Sequence, residues 1–431
     1  MLRRVVLLAA SLLGCATAAR AQNLRDQVRQ LFTFGNCGRL ICLDTTVLFG
    51  HGNHFIPASD AVASTIVSFL SNSIVLSVSN TPVSSASSGT TFQFQGGVPV
   101  RTSTSAGPVF AERAQTLGRG RWFLGVGFTA MDFTRLRGVP LNHITLALPH
   151  QDVQLPNTPP DVLGDQPFEL DVIDVNVDMH VSLMVASFSA TYGLVDGVDL
   201  GVTVPFVRTA VSGNSLARIE LIGGDTLHRF AGTGAAPVLT SASSVDDAAS
   251  GLGDIEGRLK INLAQTDRIG VAFLGVARFP TGDESNLLGA GRFSGRALGV
   301  ISSRFGSFNP HLNVGVTVRD APLENASIET NAGFDQLMAS SVTMAVDLLG
   351  SWEVGTPKVQ VPPPVAYQAP VPHTLAVTDI PSRHDDFLSL SLGFKFVTKR
   401  GLQIVTNAVF PLRDAGLQPG VVWTACLEHN F

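Results

Sequence analysis

The sequence predicts an all-β fold: a transmembrane antiparallel β-barrel of about twelve strands, preceded by an N-terminal periplasmic or plug segment. Three observations point there. First, the 431-residue chain is apolar overall, with a mean hydropathy of +0.27. Yet beyond its first residues it has no run of about 18 apolar positions, which a helical span would need. Second, its apolar residues alternate with polar ones, the pattern of strands with lipid on one side and an interior on the other. Third, the chain ends on an amphipathic strand. Phe431, His429, Leu427, Ala425, Trp423 and Val421 share one mainly apolar face, and Asn430, Glu428, Cys426 and Thr424 share the other. No later strand can cover this last one, and a closed barrel solves the problem by pairing it with the first. Phe431, Leu427 and Trp423 are therefore expected to form the signal read by barrel-assembly machinery.

The first residues read as an export signal. Arg3 and Arg4 precede the short apolar stretch Val5 to Leu13, and Ala19-Arg20-Ala21 fits small-x-small cleavage, which assigns 1–21 to a signal peptide. A lipoprotein-like alternative lies in Leu12-Leu13-Gly14-Cys15. The formal charge of −5 becomes more negative once three arginines and no acids are removed. An acidic chain of this kind argues against nucleic acid as a partner. Export predicts the outer membrane of a Gram-negative-type bacterium, with its lipid as surroundings.

Export also sets the redox state. Cys37 and Cys42, in Asn36-Cys37-Gly38-Arg39-Leu40-Ile41-Cys42, are expected to form a disulfide. A zinc site would need two further ligands at suitable spacing; His51 and His54 are near enough to be candidates, but no metal and no cofactor is expected. Cys426 is expected to remain unbridged.

Residues 22–120 differ from the rest and are assigned to the N-terminal segment. Ala61 to Leu76 suits a short helix, Thr81 to Thr91 is a Ser/Pro/Gly-rich loop, and Thr91 to Gln95 is a short strand. From 121 to 431 the chain becomes a series of alternating segments. Trp122, Leu124, Val126, Phe128 and Ala130 share a face. Ile173, Val175, Val177, Met179, Val181, Leu183 and Val185 alternate with Asp174, Asn176, Asp178, His180 and Ser182. After the tight turn Tyr192 to Gly197, Val198, Leu200, Val202, Val204 and Phe206 alternate with Asp199, Gly201 and Thr203. The cleanest segment sets Ile255, Gly257, Leu259, Ile261 and Leu263 against Asp254, Glu256, Arg258, Lys260 and Asn262.

Further strands are predicted at 269–279, 295–304, 311–319, 328–337, 342–352, 386–396, 402–411 and 420–431. Short connections (192–197, 264–268, 305–310, 338–341, 397–401) alternate with longer ones (135–167, 209–250, 280–294, 320–327, 353–385, 412–419), as in barrels with short turns at one end and long loops at the other. The count is twelve, or fourteen if 60–110 supplies two more.

These segments resemble outer-membrane proteins of the phenol-degradation MetA-pathway type, a branch similar to FadL-like transporters. The resemblance rests on Tyr192-Gly193-Leu194-Val195-Asp196-Gly197-Val198-Asp199-Leu200-Gly201-Val202-Thr203-Val204-Pro205, Gly251-Leu252-Gly253-Asp254, Phe279-Pro280-Thr281-Gly282-Asp283-Glu284 and the terminal Phe431, and it covers roughly 168–431. It implies a barrel and a role in uptake of aromatic or other hydrophobic compounds. The last strand departs from the usual pattern: Cys426 stands where Gly is expected and His429 where a bulky aromatic is expected.

Two polar rows are candidate lumen-facing residues. Asp174, Asn176, Asp178 and His180 stand about 6.8 Å apart along a strand, too far to share one metal ion without help from neighbours. They are expected to line the interior. Asp254, Glu256, Arg258 and Lys260, joined by Asp199 and Arg278, are expected to pair across strands inside the barrel. No nucleophile motif accompanies the isolated His180, His311 and His429, and Gly251-Leu252-Gly253 lacks the context of a phosphate loop. An enzyme is not expected. The expectation is a channel or transporter for a small hydrophobic solute; the alternative is a structural or adhesive barrel with a filled lumen.

Overall fold

In the computed structural model the described residues are 23–37, 39–44, 46, 52–79, 92–95, 98–101, 105–153, 162–319, 325–357 and 360–431. The expected signal peptide, Cys15, His51 and the loop 81–91 lie outside them. Twelve strands close into one antiparallel barrel. In chain order these are β1 (Trp122–Leu136), β2 (Val172–Val195), β3 (Val198–Glu220), β4 (Ile255–Gln265), β5 (Ile269–Phe279), β6 (Ser294–Ser303), β7 (Phe308–Arg319), β8 (Ser327–Ala339), β9 (Val342–Glu353), β10 (Phe387–Val397), β11 (Gln403–Pro411) and β12 (Leu417–Asn430). Each pairs with its neighbour in sequence. β12 returns to β1 from Leu417↔Leu136 to Asn430↔Phe123, so the barrel has no open edge. At the seam Trp122 and Phe431 exchange both backbone hydrogen bonds, at 3.3 and 2.8 Å.

The described residues among 60–110 add no strand to this ring. They supply a helix and a separate hairpin, Phe92–Gln95 with Val98–Arg101, so the count is twelve and the fourteen-strand option is excluded. The long connection expected at 209–250 is also largely strand. β3 runs on to Glu220, and Thr240–Leu252 pairs with it from Thr240↔Arg218 to Leu252↔Phe206 before the chain continues into β4. Small and polar residues in Thr240-Ser241-Ala242-Ser243-Ser244 hide this strand from a reading based on apolar alternation.

The strands carry an apolar outer belt. On β1, Trp122, Leu124, Val126 and Phe128 are each 45–49% exposed, while Phe123, Thr129 and Met131 on the alternate face are buried. Nine positions from Trp122 to Ala130 match the length a tilted strand needs to cross a bilayer, about 9–11 residues. A soluble protein would turn such a continuous apolar surface inward. Trp122 packs on Tyr192 at one rim, ring centroids 4.7 Å apart. Short turns gather at that rim: Gly197, with φ +86°, lets the chain reverse between Val195 and Val198.

At the opposite rim β2 and β3 rise well beyond the belt. Residues 172–183 alone add roughly 40 Å of strand at about 3.3 Å per residue. This projecting wall, with Ile144–Pro149 paired to β2 and Thr240–Leu252 paired to β3, wraps a second core. Into it pack α1 (Leu24–Gln30) and α2 (Gly52–Ser79). Asn23 caps α1 by accepting the Asp26 amide at 2.9 Å. On α2, Val62, Ala63, Ile66, Val67, Leu70 and Ile74 recur at helical spacing and are buried in the same cluster as Ile173, Val175, Val177 and Met179. Here the sequence understates the element, which begins nine residues before Ala61 and runs three past Leu76.

Candidate functional site in the barrel lumen

Residues 105–119 cross the lumen near the short-turn rim before the chain enters β1. The strap is extended, so its backbone groups need partners, and inward polar side chains of the barrel supply them. Ala106 N–H donates to Thr343 Oγ1 at 3.0 Å, and Ala114 N–H donates to Ser302 Oγ at 3.0 Å. Glu112 and Asn313 are joined reciprocally: the Glu112 N–H donates to Oδ1 at 2.8 Å and Asn313 Nδ2 donates to the Glu112 carbonyl at 2.9 Å. Leu117 N–H donates to both carboxylate oxygens of Asp199, at 2.9 and 3.1 Å.

Side chains lock the same strap. The buried Glu112 carboxylate is held by Arg258 on one oxygen and Lys260 on the other. Arg113 is paired with Asp335, which also takes Asn309 Nδ2 at 3.0 Å. Val109 packs with Ala345, Val405 and Cys426, and a Cβ on Gly393 would stand 2.7 Å from Val109 Cγ2, so only glycine leaves room for the strap there. Charges buried in this way hold position only when paired, and losing one partner costs about 3–5 kcal/mol.

The expected lumen residues divide into three groups. Asp199, Glu256, Arg258, Lys260 and Arg278 point inward. Arg278 pairs with Glu256 at 3.1 Å, and Arg258 Nε lies 3.7 Å from the same carboxylate. Asp254 is buried but serves the long-loop rim: it accepts the amides of Gly282 at 3.0 Å and Ala290 at 2.7 Å and so anchors the loop 280–293. The third group is a correction. Asn176, Asp178 and His180 are exposed on the outer surface, with Asp174 partly so, and His180 faces Asp132 at 3.7 Å. They stand above the belt, where the outside is water. Their apolar alternates turn inward because α1 and α2 are there to cover them.

Cys37 and Cys42 are joined by a disulfide, Cα atoms 5.7 Å apart, and Cys426 forms none. The Cys37–Cys42 segment lies against the projecting wall: Gly35 N–H donates to Ser241 Oγ at 2.9 Å and Asp44 pairs with Arg229 at 3.0 Å. Hydrogen bonds from the Thr46 hydroxyl and amide, with Arg229 adding to them, hold the Asp44 carboxyl below its usual range. The N-terminal segment therefore contributes to both ends, α1 and α2 at the long-loop rim and the strap at the short-turn rim.

Between them lies a cavity of about 350 Å³. Ser73 and Ser77 of α2 and Phe110 and Glu112 of the strap contribute to its lining. One wall, on β4 to β9, is charged and polar and includes Arg258, Arg278, Arg296, Arg319 and Glu329. The other, on β1, β11 and β12, is apolar: Met131, Phe133, Val409, Leu417 and Val422. Arg137 closes the rim beneath α2, with its guanidinium 4.7 Å from the Phe69 ring and with Nε and Nη2 donating to the two carboxylate oxygens of Asp385 at 2.9 and 2.8 Å. Sequence reading did not single out Glu112, Arg113, Arg296 or Glu329. Arg296 had a weak signal at best, since its strand alternates Gly295, Ala297 and Gly299 on the outer face rather than large apolar residues.

No protein-family model and no curated protein matches the sequence. Among solved structures the fold is similar to an outer membrane channel from Pseudomonas putida F1, at 10% identity over 74% of this chain and 98% of that one, TM-score 0.43. A FadL homologue of Pseudomonas aeruginosa is 12% identical over 73% and 90%, TM-score 0.30. The toluene transporter of Ralstonia pickettii is 14% identical over 73% and 89%, TM-score 0.27.

Proposed function

We propose that the protein is an outer-membrane channel or transporter for small hydrophobic or aromatic compounds, closed by its own N-terminal segment in the state described. The carrying observation is the cavity of about 350 Å³ inside the ring, lined on one side by apolar side chains and bounded by α2 and the strap. A barrel needing only a filled interior would have little reason to keep such a space. By the rule that long loops face outward and short turns face the periplasm, α2 stands on the entrance side and the strap on the exit side. Passage then requires the strap to leave its polar contacts. Many of those contacts are hydrogen bonds and ion pairs, which water can replace as the strap moves; Val109 and Ala114 add small apolar contacts that must be given up as well.

The alternative is a filled, non-conducting barrel with a structural or adhesive role, and the density of polar contacts along 105–119 favours it. Single-channel recording in planar bilayers separates the two. Glu112→Ala frees Arg258 and Lys260 from the strap and is expected to raise open probability at least tenfold while leaving the barrel folded. A folded Glu112→Ala protein as silent as the parent, with no uptake of small aromatic solutes into liposomes, would remove the channel reading.

A further inference from the structure

The cavity lining carries five arginines and five carboxylates: Arg137, Arg258, Arg278, Arg296 and Arg319 against Glu112, Glu256, Glu329, Glu353 and Asp385. Most are already satisfied. Arg258 holds Glu112, Arg278 holds Glu256 and Arg137 holds Asp385. Arg319 donates to the Asn325 carbonyl and to Ser327 Oγ, and Glu353 takes Asn325 Nδ2 at 2.7 Å and the Asp385 amide at 3.1 Å. Two groups stand apart. The Arg296 guanidinium makes no hydrogen bond or ion pair among the described residues. Glu329 gathers three hydroxyls, Thr317 at 2.9 Å, Ser327 at 2.7 Å and Ser351 at 3.1 Å, all on Oε1, which leaves Oε2 unengaged by them. Arg296 feels the charge of Glu256 first and of Glu329 after it, yet its charged atoms lie more than 4.0 Å from both, and Glu256 is already held by Arg278 and Arg258.

An unbridged cation and anion, facing one cavity whose lining is otherwise balanced, form a receptor for a headgroup carrying both charges. A lone anion would meet Glu329 and a lone cation would meet Arg296. A zwitterion satisfies both and leaves the net charge of the lumen unchanged. β6, which carries Arg296, is six places from β12 in a ring of twelve strands, so Arg296 faces the apolar wall of Leu417 and Val422 across the lumen. We propose that the cavity binds an α-amino acid with an apolar side chain: its carboxylate on Arg296, its ammonium on Glu329, and its side chain against Phe110, Met131, Phe133 and Val422. A guanidinium takes a carboxylate through two parallel N–H donors, which fixes orientation as well as affinity. The size agrees, since about 350 Å³ lies at the small end of ligand sites, roughly 300–1,000 Å³.

The inference rests on the reading of the lumen as a solute path and narrows its substrate class. The test is isothermal titration calorimetry on the full mature protein in detergent with three probes of similar shape: phenylalanine, 3-phenylpropionate, which has only the anion, and phenethylamine, which has only the cation. Phenylalanine is expected to bind at least tenfold tighter than either. Arg296→Gln should bring it to the level of phenethylamine, and Glu329→Gln to the level of 3-phenylpropionate. Arg296→Lys, which keeps the charge and loses the fork, should fall between parent and Arg296→Gln and stands in if the glutamine variant fails to fold. Equal binding of the three probes overturns the proposal, as does phenylalanine binding unchanged in the folded Arg296 and Glu329 variants. Calorimetry needs no conduction, so a silent channel that still binds phenylalanine would sink the transport reading alone, and a conducting one that ignores it would sink this inference alone.

Discussion

Tyr367 illustrates how far the tissue of loops above the belt is packed. It is one of two tyrosines in the chain, it is 2% exposed, and its ring stacks on His373 with centroids 4.7 Å apart. Burial pushes its phenol up to about 12, with the nearby Glu169 and Asp171 carboxylates adding to the rise. The neutral phenol is the form the folded state prefers. Its contribution to stability is therefore complete below the unfolded value of about 10 and is lost as pH rises through about 12. In Tyr192→Phe, where Tyr367 is the remaining tyrosine, phenolate absorbance should develop near pH 12. A midpoint near 10 would mean that the loop is open to water. Glu169, buried beside it, also has its carboxyl raised by burial although it accepts the Val153 and Gly164 amides at 2.7 Å each. Nothing in the spacing of these residues announces them; they meet because two connections far apart in sequence converge.

Among the elements, β4 is the one whose two faces follow directly from period two. Leu259 is 39% exposed and Lys260 is 4% exposed, on opposite sides of one strand. Leu259→Arg should impair assembly much more than Lys260→Leu, because a lipid-facing arginine costs about 2–4 kcal/mol at the bilayer midplane. Lys260→Leu leaves Glu112 held by Arg258. Yields of heat-modifiable protein compare the two, and equal losses would show that the faces are misassigned. β2 obeys the same period with the opposite outcome in its upper half. Its odd positions point inward throughout: Ile173 to Val185 above, Ser187, Ser189 and Thr191 below. Its even positions are Asp174 to His180 above and Met184 and Phe188 below. Register never changes along the strand; the surroundings do. Alternation was legible from the residues, but which face was wet depended on height, and height is not written in the period.

For the whole molecule, closure of β12 on β1 and the apolar belt predict a strand-dominated circular dichroism spectrum and faster gel migration before boiling than after. Release from membranes by carbonate or urea alone would contradict a transmembrane barrel. Deleting 22–115 while keeping the signal removes α1, α2, Glu112 and Arg113 but none of the twelve strands. Heat-modifiable folding should survive, with conductance or solute uptake raised. The upper apolar faces of β2 and β3 lose their cover in that variant, so increased protease cleavage within the projecting wall is expected too. A folded deletion protein with unchanged transport would show that the segment does not govern the lumen.

The sequence by itself determined the barrel, a ring of twelve or fourteen strands, the amphipathic last strand and the proximity of the two cysteines. Each of these depends on near neighbours in the chain or on a period of two, which the backbone geometry of a strand enforces wherever the strand lies. Only the tertiary structure decided where the water, the lipid and the second core fall along each strand. It also decided that 105–119 crosses the lumen and that Glu112 meets Arg258 and Lys260, nearly 150 positions away. It brought Arg296 and Glu329 to one cavity from strands separated by β7. Such meetings follow from ring closure and from the path of the N-terminal segment, and no local pattern encodes either.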